Sequence, residues 1–206
     1  MTTDLRNILV LRPDSASSDI LHNVGTASSP FTGGVQQTEL PGARWRLTFS
    51  YAALQAGEGR LMKAVKAICR GGAEVVHIYD LSYVPRRLIE PGLPAVGAAG
   101  QSGTVLGTTG WTPGTPVLEV GDQLSYLSTD GLYRMHTVVS PATSDAGGNA
   151  NVFILPPMRN PPVAGTPISS VEPTVSAMLQ DGGDVSVDGV VHATTLVFVE
   201  ALYGLL

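Results

Sequence analysis

Hydrophobic and polar positions alternate with a period of two along several short stretches of this chain, and with a period near 3.6 along only one. In residues 44–51, Trp45, Leu47, Phe49 and Tyr51 fall on one face and Arg46, Thr48 and Ser50 on the other, the pattern of a strand buried on one side. Residues 36–40 alternate too, and Pro41-Gly42 between the runs predicts a hairpin turn. Upstream, the apolar run 7–11 reads as a short strand halted by Pro13, which has no ladder donor, and a polar, Ser-rich link follows. The 3.6-residue pattern lies in 58–70. Leu61, Met62, Val65, Ile68 and Cys69 share one side of a helix there, with Lys63, Lys66 and Arg70 on the other. Glu58 near its start and Arg70 near its end suit the helix dipole, and Gly71-Gly72 can supply a left-handed terminator.

Residues 73–79 return to β-rich composition, and 85–103, dense in Pro, Gly and Ala, read as a domain boundary. Short β runs at 117–120, 123–127, 132–139 and 151–155 are separated by turn residues at 121–122, 130–131 and 145–149, a spacing that predicts a small barrel or sandwich. A Pro-rich passage, 156–162, leads out. The chain resumes at 174–179, turns through 181–184 and ends in a long alternating run, 190–202, expected to be a central strand. The economical arrangement pairs these last strands with the N-terminal ones. It gives one domain from 1–92 together with 173–206, and an inserted small β-barrel domain at 93–172.

Composition supports this reading. Of 206 residues only 14% are charged, while 24 Gly and 15 Pro favour many short strands joined by tight turns. The net charge of −5 supplies no general attraction for nucleic acid, and Arg86-Arg87 is the best basic cluster. Cys69 is the only cysteine, so neither an intrachain disulfide nor a Cys-rich metal site can form. The N-terminal residues lack a signal-peptide core, and no apolar run is long enough for a membrane helix; the expectation is a soluble chain made in the cytoplasm.

Residues with catalytic potential are scattered. His22, His77, His136 and His192 have no second ligand or base at a recognisable spacing. Residues 97–103 resemble a phosphate loop but lack the Gly-Lys-Ser/Thr ending, and Asp181 with Asp184 suits a tight turn as well as a calcium site. Cys69 sits on the apolar helix face, as a buried thiol would. Glu58, Glu74, Asp122 and Glu200 are the best carboxylates for a hydrolase, without a pairing signature. Catalytic, cofactor and metal residues are therefore expected to be absent. For ligand stacking, Trp111 in its Thr/Gly/Pro-rich setting, Tyr126 and Tyr133 are the candidates, while Trp45 is explained as core.

The stretch Arg44-Trp45-Arg46-Leu47-Thr48-Phe49-Ser50-Tyr51, followed by Leu54 and the helix with Gly57-Glu58-Gly59-Arg60-Leu61-Met62, resembles the strand-then-helix segment of phage tail proteins. With Gly100-Gln101-Ser102-Gly103, Gly110-Trp111-Thr112-Pro113, the run from Leu118 to Leu124, Leu132-Tyr133-Arg134, the run from Asp145 to Ala150, Leu155-Pro156-Pro157-Met158-Arg159 and the closing Val197-Phe198-Val199-Glu200-Ala201-Leu202, the order is similar to the distal tail proteins of long, flexible-tailed bacteriophages. The resemblance implies a non-enzymatic structural virion protein at the tail tip. It implies a ring-forming β-sandwich or split-barrel domain with a helix, and an inserted barrel of oligonucleotide-binding-like shape. Its partners would be further copies of itself in a cyclic homo-oligomer, a hexamer, together with the tail tube protein, the hub protein, and tail fibres or a host surface glycan. The alternatives are another tail component, a tube or terminator protein, and a carbohydrate- or receptor-binding module acting through the barrel. The N-terminal Ser-rich part matches nothing in that group, and a barrel shape is not in itself a binding activity.

Overall fold

The computed structural model of the protein describes residues 3–9, 11–183, 186–188 and 191–203. Val10 of the first apolar run, Asp184 of the expected turn and Val190 lie outside them. The chain begins with β1 (Thr3–Asp4), β2 (Ser15–Leu21), β3 (Val24–Ser28), β4 (Val35–Glu39) and β5 (Arg44–Leu54), then α1 (Ala56–Cys69) and β6 (Val76–Tyr79). A middle group follows: β7 (Gly92–Val96), β8 (Gly103–Trp111), β9 (Pro116–Leu118), β10 (Gln123–Leu127), β11 (Tyr133–Val138), β12 (Ala142–Thr143) and β13 (Ala150–Met158). The chain then returns through β14 (Thr174–Asp181), β15 (Ser186–Asp188) and β16 (Val191–Glu200). The protein is mainly β with a single α-helix among the described residues.

The first sheet runs β1-β6-β14-β16-β5-β2, with β15 folded back on β16, so N- and C-terminal strands interleave. β5 carries the alternation through: Trp45, Leu47, Phe49 and Tyr51 are all buried. The α1 helix rests against β5, β14 and β16 and contributes Met62, Val65 and Cys69 to that core. It starts two residues earlier than the pattern predicts, because the Glu58 carboxylate accepts the Gln55 N–H (2.8 Å) and so satisfies a donor at the helix entry. It ends on Arg70, itself left-handed at φ 47°, ahead of the glycines.

Three expectations fail here. Residues 6–8 form a turn instead of a strand, and it buries Leu5 and Leu9. The Ser-rich link contains β2, which pairs along β5 from Ser15↔Ser50 to Leu21↔Arg44. As an edge strand it packs only Ala16 and Ile20 on the core, so its hydrophobic signal is faint. Pro41-Gly42 is not the turn of a hairpin between β4 and β5. β4 pairs only with β3, making a two-stranded ribbon, and Pro41-Gly42 is the joint at its foot, where Asn23 Nδ2 donates to the Pro41 carbonyl (2.9 Å).

The second sheet runs β10-β11-β13-β8-β7. Residues 162–169 then bridge both edges, Ser125↔Ser169 and Ser128↔Pro162 on one side and Ala95↔Pro167 on the other, so the sheet is a nearly closed barrel. Its core includes Leu106, Leu124, Tyr126, Val138, Val152 and Ile154. β7 and β8 lie in or beside the stretch expected to be a boundary. Glycines there obscure strands, yet Gly110 sits at φ +82° with room for no Cβ, which would fall 2.2 Å from the Leu93 carbonyl oxygen. β13 likewise continues through Pro156 and Pro157, which lie where its register against β8 shifts between Phe153 and Met158 and no ladder donor is demanded.

The barrel leaves the first sheet after β6 and returns at β14, and these two strands are antiparallel neighbours with Tyr79 opposite Thr174. β16 finishes at that same end of the sheet, and β2 runs into the ribbon there.

Candidate interaction surfaces and the buried junction

Where barrel and sheet meet, β11 faces both cores: Met135 packs in the first and Val138 in the second. Between them Arg134 is buried. Its guanidinium donates to Glu200 (3.2 Å), to Asp130 (2.5 Å), and to the carbonyls of Ala201 and Leu202. Arg159, just beyond β13, donates to the same Glu200 carboxylate and to the Ala43 carbonyl (2.7 Å). Glu200, only 1% exposed, also accepts the Trp45 N–H (3.1 Å), while the Trp45 indole N–H donates to the Met135 carbonyl (2.7 Å). Asn160 joins through Asp130. Two cations thus face two anions, and the ends of the first sheet are stitched to the barrel by charge-assisted bonds shielded from water. Ser176 accepting the Tyr133 N–H (2.8 Å) and Ser125 accepting the Thr174 N–H (2.9 Å) extend the seam. Arg134 and Arg159 carried no functional expectation, and Glu200 only that of a general acid. The available signal was charge placed inside β runs otherwise expected to be buried.

The stacking candidates are corrected by their burial. Trp111 is 3% exposed, inside the barrel core, with its indole N–H on Thr108 Oγ1 (2.6 Å). Tyr126 is fully buried and stacked on the His136 ring, centroids 5.3 Å apart. Tyr133 is half-buried, with the Arg6 guanidinium over its ring (5.2 Å) and the His77 ring at its edge (5.0 Å). Neither Trp111 nor Tyr126 offers a free aromatic face to a sugar, and the Tyr133 ring is already paired with Arg6.

The titratable groups are likewise engaged in structure. His136 Nδ1 meets the Pro156 carbonyl (2.7 Å), so that nitrogen carries the proton and Nε2 accepts the Tyr126 hydroxyl (2.9 Å). Burial pushes His136 down to about 4 and keeps it neutral near pH 7; burial also lowers His77 and raises Tyr126. His77 lies against Ser176 Oγ (2.8 Å), His22 is exposed, and His192 belongs to β16. Glu58 caps α1, Glu74 lies 3.9 Å from Arg70, and Asp122 accepts the Glu119 N–H (2.8 Å) and Arg86 (3.2 Å). Cys69 is inaccessible, its thiol pushed up to about 11 by burial and by nearby Glu74. Residues 97–103 lead into β8, not a helix, and Gln101 clamps them by accepting the Gly107 N–H (2.5 Å). Asp181 Oδ1 accepts the Gly183 N–H (2.9 Å) in a turn. Among the described residues no group of three or more His, Cys, Asp or Glu could hold a metal ion, and no helix is long and apolar enough to cross a membrane.

Two outward-facing features are built differently. The ribbon of β3 and β4 exposes Val24, Val35 and, at its tip, Phe31, which is 95% exposed. The loop after β6 exposes Val84, Leu88 and Ile89, and the start of β7 exposes Leu93, each by more than four-fifths, yet the loop is pinned at several points. Arg86 reaches Asp122 (3.2 Å) and Glu119 (3.8 Å), Arg87 donates to the Pro116 carbonyl (2.8 Å), and Glu90 accepts the Ser170 hydroxyl (2.7 Å) and the Val171 N–H (3.0 Å). A groove of about 580 Å³ lies between the foot of the ribbon at Leu40 and Pro41, the end of β13 at Pro157 and Met158, and Tyr203. The chain matches no protein-family profile and no curated protein sequence.

Proposed function

We propose that this protein is a non-enzymatic structural component that assembles into a cyclic ring, the distal tail ring of a long-tailed bacteriophage, joining the tail tube to the tail-tip hub and fibres. The observation that carries this reading is the pairing of a saturated interior with exposed apolar features held in place. The buried ions are consumed by the junction, whereas Phe31 and the aliphatics at 84–93 face water. Contiguous exposed apolar surface marks places where another protein binds. The resemblance of residues 45–202 to distal tail proteins supplies the ring and the tail. A glycan-binding role for the barrel loses its main support, since Trp111 and Tyr126 are buried.

Native mass spectrometry or multi-angle scattering across a tenfold concentration range tests the proposal. A closed cyclic oligomer, sixfold on this reading, is the expected result. A strict monomer at every concentration would overturn ring formation as an intrinsic property of the chain.

A further inference from the structure

We infer that the groove where the foot of the ribbon, the end of β13 and the residues after β16 meet binds an extended, apolar peptide segment of another protein, with a basic residue at its Glu39 end. This site goes beyond the ring reading and does not depend on it.

The groove encloses about 580 Å³, within the ~300–1,000 Å³ usual for ligand sites, and it lies where separate structural units join, as such sites commonly do. Leu40, Pro41, Pro157, Met158 and Tyr203 form much of its wall. Leu40 is 44% and Tyr203 80% exposed, so an apolar ligand would take real surface out of water. The shape of the groove is set before anything binds. Proline side chains have almost no rotamer freedom to lose, Gly42 holds φ 115° at the joint below the ribbon, and Asn23 Nδ2 fixes the Pro41 carbonyl (2.9 Å).

Two consecutive residues supply polar recognition. Arg159 spends one N–H on the Ala43 carbonyl (2.7 Å) and another on Glu200, but its side chain is 21% exposed, and its other guanidinium donors are open to the groove it lines. Asn160 places Nδ2 on Asp130 (2.5 Å), which leaves Oδ1 as an acceptor with no donor among the described residues. Donors beside an acceptor on an otherwise apolar wall complement a peptide backbone, where carbonyl and N–H alternate.

Charge and polarity select this occupant over others. Arg159 and Glu39 are the charged residues of the groove, and Arg159 is already met by Glu200, so an anion gains little. Glu39 has no ion pair among the described residues, and its carboxylate favours a Lys or Arg on the ligand. A sugar would leave hydroxyls facing Pro, Leu and Met without partners, at a cost for each one buried. An apolar segment covers those walls and brings its amide groups to Arg159 and Asn160.

Selection from a display library of random peptides on the immobilised full chain tests the site. Affinities of the enriched peptides are then measured for the wild type, Glu39→Gln and Leu40→Ser/Tyr203→Ser, with thermal unfolding of each to confirm an intact fold. Enriched sequences should be apolar, carry Lys or Arg at one end and lack acids. Leu40→Ser/Tyr203→Ser should weaken binding by more than about tenfold, and Glu39→Gln by about two- to fivefold with a smaller salt dependence. The Met158 methyl resonance should shift on binding, because Met158 lines the groove. No enriched sequence, an acidic consensus, or peptides that bind both variants as tightly as the wild type would overturn the site. So would self-association that Leu40→Ser/Tyr203→Ser abolishes while no peptide binds, which would give the groove to a second copy. None of these peptide results bears on ring formation, which the native mass of the wild type decides.

Discussion

The Arg134 guanidinium lies 3.2 Å from the Glu200 carboxylate, although one residue belongs to the barrel and the other to the last strand of the first sheet. Each is almost completely buried, so neither can exchange its partner for water. A pair of this kind adds little net stability over an apolar contact, yet removing one member strands the other's charge. The pair joins barrel to sheet at a point shielded from water.

Arg134→Met is accordingly expected to cost about 3–5 kcal/mol, because it leaves Glu200 and Asp130 short of a cation. A cycle of Arg134→Met, Glu200→Gln and the double variant, measured by urea unfolding, should give a coupling above about 0.5 kcal/mol. An additive double variant would show that the pair does not act as a unit.

Trp45→Phe keeps the ring in the first core but removes the only hydrogen bond from its indole to the barrel, leaving the Met135 carbonyl without that donor. Loss of about 1–3 kcal/mol is expected, read as a fall in the unfolding midpoint. Intrinsic fluorescence gives a companion measurement. Trp45 and Trp111 are the only tryptophans, both buried, so native emission should be blue-shifted and resist quenching by acrylamide.

His136 gives folding a pH dependence of definite sign. Burial holds its pKa at about 4, below the ~6.5 of an unfolded chain, so the unfolded state takes up the proton first. Stability from this group is complete above pH 6.5 and is lost as pH falls towards 4, by on the order of 3 kcal/mol; His77, also lowered by burial, acts in the same direction. Urea midpoints measured from pH 7.5 to 4.5 should decline, and His136→Gln should flatten the decline while lowering stability throughout.

Gly110→Ala should disrupt the barrel, since an added Cβ meets the Leu93 carbonyl oxygen at 2.2 Å and the backbone is left-handed there. A loss of more than about 2 kcal/mol is expected, checked by thermal unfolding.

Cys69, buried with its thiol raised to about 11, should react with a thiol reagent only as fast as the fold opens. Labelling followed by mass spectrometry should therefore be slow in the wild type and speed up as stability falls across the variants above.

Much of this architecture was legible where packing and periodicity coincide. β5 alternates because one face meets α1 and the core, and α1 shows its stripe for the same reason. β2 was hidden because an edge strand rich in Ser, with only Ala16 and Ile20 on the core, is held mainly by backbone bonds to β5, and β8 because its glycines serve close approach between strands as readily as a linker. Trp111 was misread because Thr and Gly beside it suggest exposure, whereas Thr108 accepts its indole N–H inside the barrel. For the junction the sequence offered only charges inside β runs expected to be buried; that Arg134 meets Glu200 follows from the way two sheets meet, which no local pattern records.

Tyr79 and Thr174 face each other across neighbouring antiparallel strands, so the whole barrel enters and leaves through a gap no wider than a strand pair. Seen from the first sheet, the barrel occupies the place of a hairpin loop, and another module with closely spaced ends could be exchanged for it without re-threading the chain. Glu200 sets the condition for such an exchange. Whatever replaces the barrel inherits a carboxylate at the sheet end and must bring a positive charge to meet it.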